Sequence, residues 1–192
     1  DARAVLSAER VALNFLQHLS GIATVTRKFK SQISKVKTNV KILDTRKTVP
    51  GMRVLEKYAV KMGGGTNHRM GLHDAILIKD NHIKMAGGVQ KAVEGIRRQY
   101  KAAKPIEVEA KTMVEVKEAI AAGAGRILLD NMSVKTLREA VKLCRKARIK
   151  TEASGGVNLN NVKAIAKTGV DYISVGALTH SARALDISLK IL

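Results

Sequence analysis

Six short segments of this sequence end in side chains or glycines that could bind and act on an anionic substrate. In chain order the ends read Asp44-Thr45-Arg46-Lys47, Lys79-Asp80-Asn81-His82, Glu107-Val108-Glu109, Asp130-Asn131, Glu152-Ala153-Ser154-Gly155-Gly156 and Val175-Gly176-Ala177. In a (β/α) barrel the strands point the same way, so their carboxyl ends converge on one rim, where such enzymes place their chemistry. We therefore expect these six clusters to face a single pocket.

Two glycine turns near the end of the chain could hold a phosphate. Ser154-Gly155-Gly156 lies between a predicted strand and a predicted helix, so backbone N–H groups and a positive helix end could meet an anion there. Val175-Gly176-Ala177 offers a second such turn after the next strand. A lone Ser-Gly-Gly is a weak signal, but the pair matches the phosphate site that barrels build after their last two strands.

A group of cations is predicted on the other side of the rim. Its members are Arg46, Lys47, His68, Arg69 and Lys79, with Arg10 added from the leading helix. Arginine binds carboxylates through two parallel hydrogen bonds, whereas lysine meets phosphates as a point charge, so the mixture predicts a substrate with both groups. The alternative for Arg46 and Lys47 is a surface turn before Pro50. We interpret the loop Gly63-Gly64-Gly65-Thr66-Asn67 as a flexible approach that brings His68 and Arg69 to the ligand.

Two acids complete the predicted rim. Glu109 and Asp130, at the ends of adjacent strands, could hold ribose hydroxyls or a divalent ion that bridges to a diphosphate. The alternative is a structural salt bridge to Lys79 or Lys47. No spacing of His and Cys supports a zinc site.

Alternating short apolar segments and helical patterns predict the fold. We predict strands at Lys41 to Thr45, Ala75 to Lys79, Ile106 to Glu109, Arg126 to Leu129, Lys150 to Ala153 and Tyr172 to Val175. Helices are predicted at about 7–33, where Ser7 opens the leading helix, and near 54–62, 88–100, 113–122, 134–147 and 159–168. Single helices between strands indicate right-handed βαβ crossovers and a parallel sheet. The prediction is one α/β domain over 1–192, a TIM-like parallel barrel left incomplete at six to seven strands.

Local signals refine these boundaries. Thr112 and Ser133 are predicted helix N-caps, Thr112 with a capping box, and Gly123 and Gly169 are predicted to follow helix C-termini. The segment 185–192 alternates like a strand. Cys144, the single cysteine, is predicted to be a packing residue of a helix rather than a nucleophile.

The composition is strongly basic. Lys and Arg number 35 against 16 Asp and Glu, a net charge of +19. Such an excess attracts anions and leaves non-specific binding of polyanions open, but only 3% of residues are aromatic, so the stacking surfaces of single-strand nucleic-acid binders are scarce. No apolar stretch reaches the roughly 20 residues of a membrane helix, and the start of the chain lacks the order of a signal peptide. We therefore expect a soluble, cytoplasmic protein without membrane partners.

Seven ordered motifs, which together cover nearly the whole chain, carry a resemblance to one enzyme family. They are Ala8-Glu9-Arg10, Asp44-Thr45-Arg46-Lys47-Thr48, Gly63-Gly64-Gly65-Thr66-Asn67-His68-Arg69, Ile78-Lys79-Asp80-Asn81-His82, Leu128-Leu129-Asp130-Asn131, Ala153-Ser154-Gly155-Gly156 and Ser174-Val175-Gly176-Ala177-Leu178-Thr179-His180. The sequence resembles carboxylating nicotinate-nucleotide pyrophosphorylase, also called quinolinate phosphoribosyltransferase. The resemblance implies that quinolinate and phosphoribosyl pyrophosphate give nicotinate mononucleotide, pyrophosphate and carbon dioxide, with Mg²⁺ as cofactor, in NAD biosynthesis.

The resemblance also implies roles for individual residues. Those implied to bind substrate are Arg46, His68 and Arg69 for the quinolinate carboxylates, Arg10 in the pocket of a neighbouring subunit, Thr45 beside them, and Ser154, Gly155, Gly156, Gly176 and Ala177 for the 5′-phosphate. Lys47 and Lys79 are implied to act at the diphosphate and the reacting centre. Glu109 and Asp130 are implied to serve ribose and Mg²⁺.

Two further expectations follow from the family. Its members carry another α/β domain ahead of the segment that starts here, so the resemblance implies that this domain is absent and that the chain forms a homo-oligomer. The competing interpretation is a non-catalytic barrel that binds phosphate or polyanions through its excess positive charge.

Overall fold

The computed structural model describes residues 1–36, 38–100 and 105–190. Its helices are α1 Ala2–Ser34, α2 Arg53–Met62, α3 Asp80–Ala86, α4 Val89–Gln99, α5 Met113–Ala121, α6 Val134–Lys146, α7 Val162–Ala166 and α8 Ala177–His180. Its strands are β1 Lys41–Leu43, β2 Ile76–Ile78, β3 Ile106–Ala110, β4 Arg126–Asp130, β5 Lys150–Ser154 and β6 Tyr172–Ser174. Within these ranges no helix is both long enough and apolar enough to cross a membrane.

All six strands form one parallel sheet in the order β1-β6-β5-β4-β3-β2. The α/β class, the parallel sheet and the six strand positions are thereby confirmed. In the described part of the chain β1 and β2 are the edges and do not pair with each other, so the predicted incomplete barrel is the form observed.

The two faces of the sheet differ in polarity because side chains alternate along each strand. On β3, Ile106, Val108 and Ala110 are buried in the hydrophobic core between the sheet and the helices. Glu107 and Glu109 point the other way and line cavities on the concave side. The hydrophobic core therefore lies mainly outside the barrel, and the interior carries charged side chains beside a few apolar ones such as Leu77 and Leu128.

A short segment fills the opening between the edge strands. Thr66 pairs with β1 through its N–H, which donates to the Ile42 carbonyl at 2.8 Å. On the other side, the Arg69 guanidinium donates to the Ala75 carbonyl just before β2, at 3.1 Å. We call Thr66–Arg69 the bridging segment, because it joins the two edges where no further strand does so in the described residues.

Helix α1 begins earlier than predicted. The carboxylate of Asp1 caps it by accepting from the Arg3 N–H at 2.9 Å, so Ser7 is an interior residue whose hydroxyl donates to the Arg3 carbonyl. The part of α1 from about Gly21 onward packs into the core through Ile22 and Phe29. Most apolar side chains of the earlier part are exposed, namely Val5, Leu6, Val11, Phe15 and Leu16.

Several local predictions were right and others wrong. Thr112 and Ser133 are N-caps, and Gly123 and Gly169 have the positive φ values of helix C-terminal glycines. Helix α3 was not predicted, because its residues were assigned to the end of β2. Residues 185–190 form no strand; the Leu185 N–H donates instead to the Gln17 carbonyl of α1, and 191–192 lie outside the described residues.

Candidate active site

A cavity of about 550 Å³ opens at the carboxyl ends of the strands, and we call it the rim cavity. The predicted site residues that line it are Thr45, Arg46, Lys47, His68, Arg69, Lys79, Glu109, Asp130, Ser154, Gly155, Gly156 and Gly176. They come from the ends of all six strands and from the bridging segment. The predicted convergence on a single pocket is therefore observed.

Two predicted residues do not line this cavity. Arg10 is exposed on α1, so it is not part of the cationic side of its own chain's pocket, although its predicted contact with a neighbouring subunit stays a prediction. Ala177 is the first residue of α8, where the chain turns away behind Gly176. The rim cavity of this chain is therefore lined by fewer residues than predicted, since neither Arg10 nor Ala177 belongs to it.

Two guanidinium groups dominate the cationic side. Arg69 is only 9% exposed, and both burial and the nearby positive charge of Arg46 lower the pKa of its guanidinium. Two like charges held together in a partly dry cavity repel each other, and a bound anion would relieve that repulsion. Arg46 is half-buried and lines the rim cavity, and its carbonyl accepts from the Arg53 guanidinium at 3.3 Å, which anchors the loop after β1. The alternative of a plain surface turn therefore does not hold for Arg46, while Lys47 is exposed.

Gly63 and Gly65, two of the three glycines before the bridging segment, pack tightly, which does not favour the predicted flexible approach. A side chain at Gly63 would place its Cβ 2.4 Å from the Ala23 carbonyl of α1, and one at Gly65 would lie 2.7 Å from Val60. Asp44 then fixes the bridging segment, since its carboxylate accepts from the His68 N–H at 2.8 Å and binds the buried ammonium of Lys57. The loop therefore holds His68 and Arg69 rigidly.

The contacts of Glu109 and Asp130 agree with both interpretations of these acids, a structural salt bridge and a site for ribose hydroxyls or a divalent ion. Glu109 lies 3.1 Å from the Lys79 ammonium, as the salt-bridge alternative proposed. Asp130 accepts from the Ser154 hydroxyl at 2.6 Å and from the Asn131 amide at 2.9 Å. Both carboxylates face the same cavity and are hard oxygen ligands of the kind Mg²⁺ prefers, so the residues present fit such an ion.

The glycines of the two phosphate turns differ in how closely neighbouring atoms approach them. Gly155 has φ of +91°, and a Cβ there would lie 2.2 Å from the Asn131 side chain, so the turn is built against its neighbour. Gly156 also has positive φ, but nothing lies within 4 Å of its Cβ position. The turn lies between β5 and α7 as predicted, and an asparagine-rich turn separates Gly156 from the start of α7. Gly176 leads directly into α8.

Sequence reasoning missed a group of charges deeper in the barrel, which we call the interior ionic cluster: His68, Glu107, Arg126 and Glu152. The His68 Nε2 atom lies 3.4 Å from Glu107 and 3.3 Å from Glu152, and Arg126 lies 3.1 Å from Glu152. The sequence contains a pattern that could have predicted this cluster. Strands of a parallel sheet that is buried on both faces are apolar throughout, whereas here charged residues alternate with apolar ones.

Two features of His68 favour different protonation states. Burial opposes its charge, but the nearby carboxylates of Glu107 and Glu152 outweigh burial and raise the pKa of His68 to about 9. The Arg69 N–H, in contrast, points at His68 Nδ1 from 2.7 Å, which suits a neutral ring. We assign the imidazolium form on the raised pKa of His68. Burial and the nearby charge of Glu152 raise the pKa of Glu107, whereas His68 and Arg126 lower the pKa of Glu152 despite its burial.

Comparisons with known proteins agree on one family. Residues 22–190 match the model described as quinolinate phosphoribosyl transferase, C-terminal domain. The chain is 52% identical over 190 residues to a Bacillus subtilis protein named probable nicotinate-nucleotide pyrophosphorylase [carboxylating], covering 99% of this chain and 65% of the relative. It is 50% identical over 189 residues to the protein of that name from Synechocystis, covering 97% of this chain and 63% of the relative. The chain thus spans less than two thirds of these relatives.

Solved structures give the same result. NadC from Streptococcus pyogenes superposes with a TM-score of 0.91 at 44% identity, over 98% of this chain and 65% of that one. The nicotinate-nucleotide pyrophosphorylase from Francisella tularensis gives a TM-score of 0.91 at 50% identity, over 97% and 65% of the two chains. On its sequence, its fold and the geometry of its rim, this chain belongs to the quinolinate phosphoribosyl transferase C-terminal domain family.

Proposed function

We propose that this chain carries the catalytic barrel of a quinolinate phosphoribosyltransferase of NAD biosynthesis. In the proposed reaction the pyridine nitrogen of quinolinate forms a bond to ribose C1 as the bond from C1 to pyrophosphate breaks. The bond from the ring to its 2-carboxylate then breaks and releases carbon dioxide. The electron pair stays on the ring carbon, which takes up a proton to give nicotinate mononucleotide.

One observation carries the proposal: the rim cavity holds binding groups for every charged part of both substrates. The guanidinium groups of Arg46 and Arg69 suit a ring dicarboxylate, with His68 beneath them. The turns at Ser154-Gly155-Gly156 and Gly176 lie on adjacent strands and suit a 5′-phosphate. A cavity of about 550 Å³ is within the range of small-molecule sites.

The remaining rim residues suit the charge changes of the reaction. Positive charge develops at C1 as pyrophosphate leaves, and the carboxylate of Glu109 faces the cavity where it could stabilise that charge. Lys47 and Lys79 could neutralise the negative charge that grows on the leaving pyrophosphate. Thr45 orders this side, since its hydroxyl accepts from the Lys47 N–H at 3.0 Å.

Magnesium is part of the proposal. Glu109 and Asp130 are the residues that would hold it, and the ion would supply charge neutralisation at the diphosphate. Holding the ion would require Lys79 to move from Glu109 or to share it.

Product analysis tests the proposal. The chain is mixed with phosphoribosyl pyrophosphate, Mg²⁺ and quinolinate labelled with ¹⁴C in its 2-carboxylate. We expect labelled carbon dioxide and nicotinate mononucleotide in equal amounts, and less of both from the Arg69→Ala variant when quinolinate is below saturation. Because the chain spans only part of its relatives, binding of both substrates is measured in parallel by calorimetry. Absence of both binding and product would contradict the proposal.

Self-association is a further part of the proposal. The exposed apolar side chains on the first half of α1 form the kind of surface that associates in water, and a homo-oligomer is what the family resemblance implies. Light scattering over a range of concentrations tests this, and a strictly monomeric chain throughout would contradict it.

A cytoplasmic location also belongs to the proposal, and the free, buried Cys144 agrees with a reducing compartment.

The second candidate is a non-catalytic barrel that binds phosphate or polyanions, and the net charge of +19 favours it. The salt dependence of binding distinguishes the two candidate functions. Binding of a polyanion by surface charge should fall steeply as salt rises, whereas a dicarboxylate bound by paired guanidinium contacts should keep its selectivity over a monocarboxylate. Titrations of heparin, quinolinate and nicotinate at low and high salt make the comparison.

A further inference from the structure

The interior ionic cluster joins three strands to the bridging segment. Glu107 belongs to β3, Arg126 to β4 and Glu152 to β5, and His68 reaches them from between the two edge strands. The side chain of His68 is 8% exposed, that of Glu107 7% and that of Glu152 0%. A charge this deeply buried needs its partner, because a lone buried charge is strongly unfavourable.

Arg126 decides how this cluster should be interpreted. The ligand atoms of His68, Glu107 and Glu152 lie within 4.8 Å of one another, a spacing that a metal ion could use. The Arg126 guanidinium, however, lies 3.1 Å from Glu152 and 3.8 Å from Glu107, and its face stacks on the Tyr172 ring at 4.4 Å. A positive group therefore already occupies the cluster, and we interpret it as a charge-balanced ionic layer.

The cluster adjoins the residues proposed to bind the dicarboxylate, and its Glu152 lines the rim cavity beside them. His68 and Arg69 are neighbours in the bridging segment and line both the rim cavity and a second cavity of about 350 Å³ on the opposite side. On the β1 side this segment is held by backbone pairing and by Asp44. Toward the other strands, two contacts among the described residues hold the segment. The Arg69 guanidinium donates to the Ala75 carbonyl, and the His68 ring contacts Glu107 and Glu152.

We propose that Glu107, Arg126 and Glu152 are positioning residues, which hold the His68 ring and thereby place the Arg69 guanidinium for the ring dicarboxylate. This inference rests on the proposed function for the identity of the ligand. The phosphate turns are attached to β5 and β6 and do not depend on the bridging segment. Loss of the cluster should therefore weaken dicarboxylate binding selectively.

Two variants on different strands test the proposal. Glu107 lies two residues before Glu109, so a purely local disturbance by Glu107→Gln would affect the acids of the rim. Glu152 lies two residues before Ser154, so a purely local disturbance by Glu152→Gln would affect the phosphate turn. Action through His68 predicts the same effect in both: quinolinate binding weaker by about tenfold or more, and binding of inorganic phosphate unchanged within about twofold. Ile127→Val, which removes one methylene from the outer core beside Arg126, is the control for lost stability and should change neither affinity.

A measurement without ligand separates this inference from the proposed function. The NMR signals of the His68 ring and of the Arg69 Nε–H group, assigned with an Arg69→Lys variant, should both shift in the two Gln variants and stay in place in Ile127→Val. Because the charge of Glu107 also acts directly on Arg69, the Glu152→Gln variant decides. If its His68 signal shifts while that of Arg69 does not, the positioning role is overturned, whatever ligand the chain binds. If both shift but the unaltered chain does not bind quinolinate, the positioning role stands and the proposed function fails.

Discussion

The outer and inner faces of the sheet are built from the same strands but with opposite chemistry. On β4, Ile127 and Leu129 point outward into the hydrophobic core, while Arg126 and Asp130 line the interior cavities. In most (β/α) barrels layers of branched apolar side chains fill the interior. Here the helices and the outer face bury the apolar surface, so stability depends mainly on the outer face. The interior is left for charges that bind and position a ligand.

The largest effect on stability should come from the outer face. Leu129→Ala removes a fully buried side chain of the core and should lower the free energy of unfolding by about 2–5 kcal/mol. Urea unfolding measures the loss. Because Leu129 does not line the rim cavity, the folded fraction should bind quinolinate with unchanged affinity. A tenfold loss of affinity in this variant would show that the two faces are not independent.

The inner face should make stability depend on pH. The pKa of His68 is raised to about 9 in the fold, above the usual value of 6.5, so the stabilisation is complete below about pH 6.5 and is lost as the pH rises through about 9. The loss should reach at most roughly 3 kcal/mol. Urea unfolding of the unaltered chain and of His68→Asn between pH 6 and 10 measures it. Equal pH profiles for the two proteins would contradict the assignment of the imidazolium form.

Loss of one guanidinium should affect binding more than folding. Arg46→Ala or Arg69→Ala should weaken quinolinate binding by about 1.5–3 kcal/mol, the range for a hydrogen bond to a charged group. Calorimetric titration measures this loss, and Arg138→Ala, at an exposed position of α6 outside the rim cavity, serves as the control. Unchanged affinity in both rim variants would place the dicarboxylate elsewhere.

The two glycines of the phosphate turn should differ from each other, and Gly156 should give the smallest effect of all these variants. Gly156→Ala meets no atom within 4 Å and has only its positive φ to oppose it, a cost of roughly 1–2 kcal/mol. Gly155→Ala should cost more, because its Cβ would overlap Asn131, so this variant is expected to disturb folding as well as phosphate binding. Thermal unfolding with and without phosphate compares the two. Equal losses in both variants would mean that contact with Asn131 does not matter.

The order of elements and most of the rim were predictable from local pattern. Alternation in Ile106-Glu107-Val108-Glu109-Ala110 predicts a strand, and the capping box at Thr112 marks the next helix. Parallel strands bring their carboxyl ends together, which is why Lys79, Glu109 and Asp130 could be assigned to one pocket. Helix α3 was not predicted, because Asp80 and Asn81 are also typical of a loop after a strand.

The sequence by itself determined the strands, the family and the convergence of charged residues on one rim, because periodicity and short motifs are local properties of a chain. Only the tertiary structure decided what those charges do. Glu152 is separated from His68 by 84 residues in sequence, yet the two side chains meet inside the barrel. Burial there makes each charge depend on its partners, and burial is a property of the whole fold.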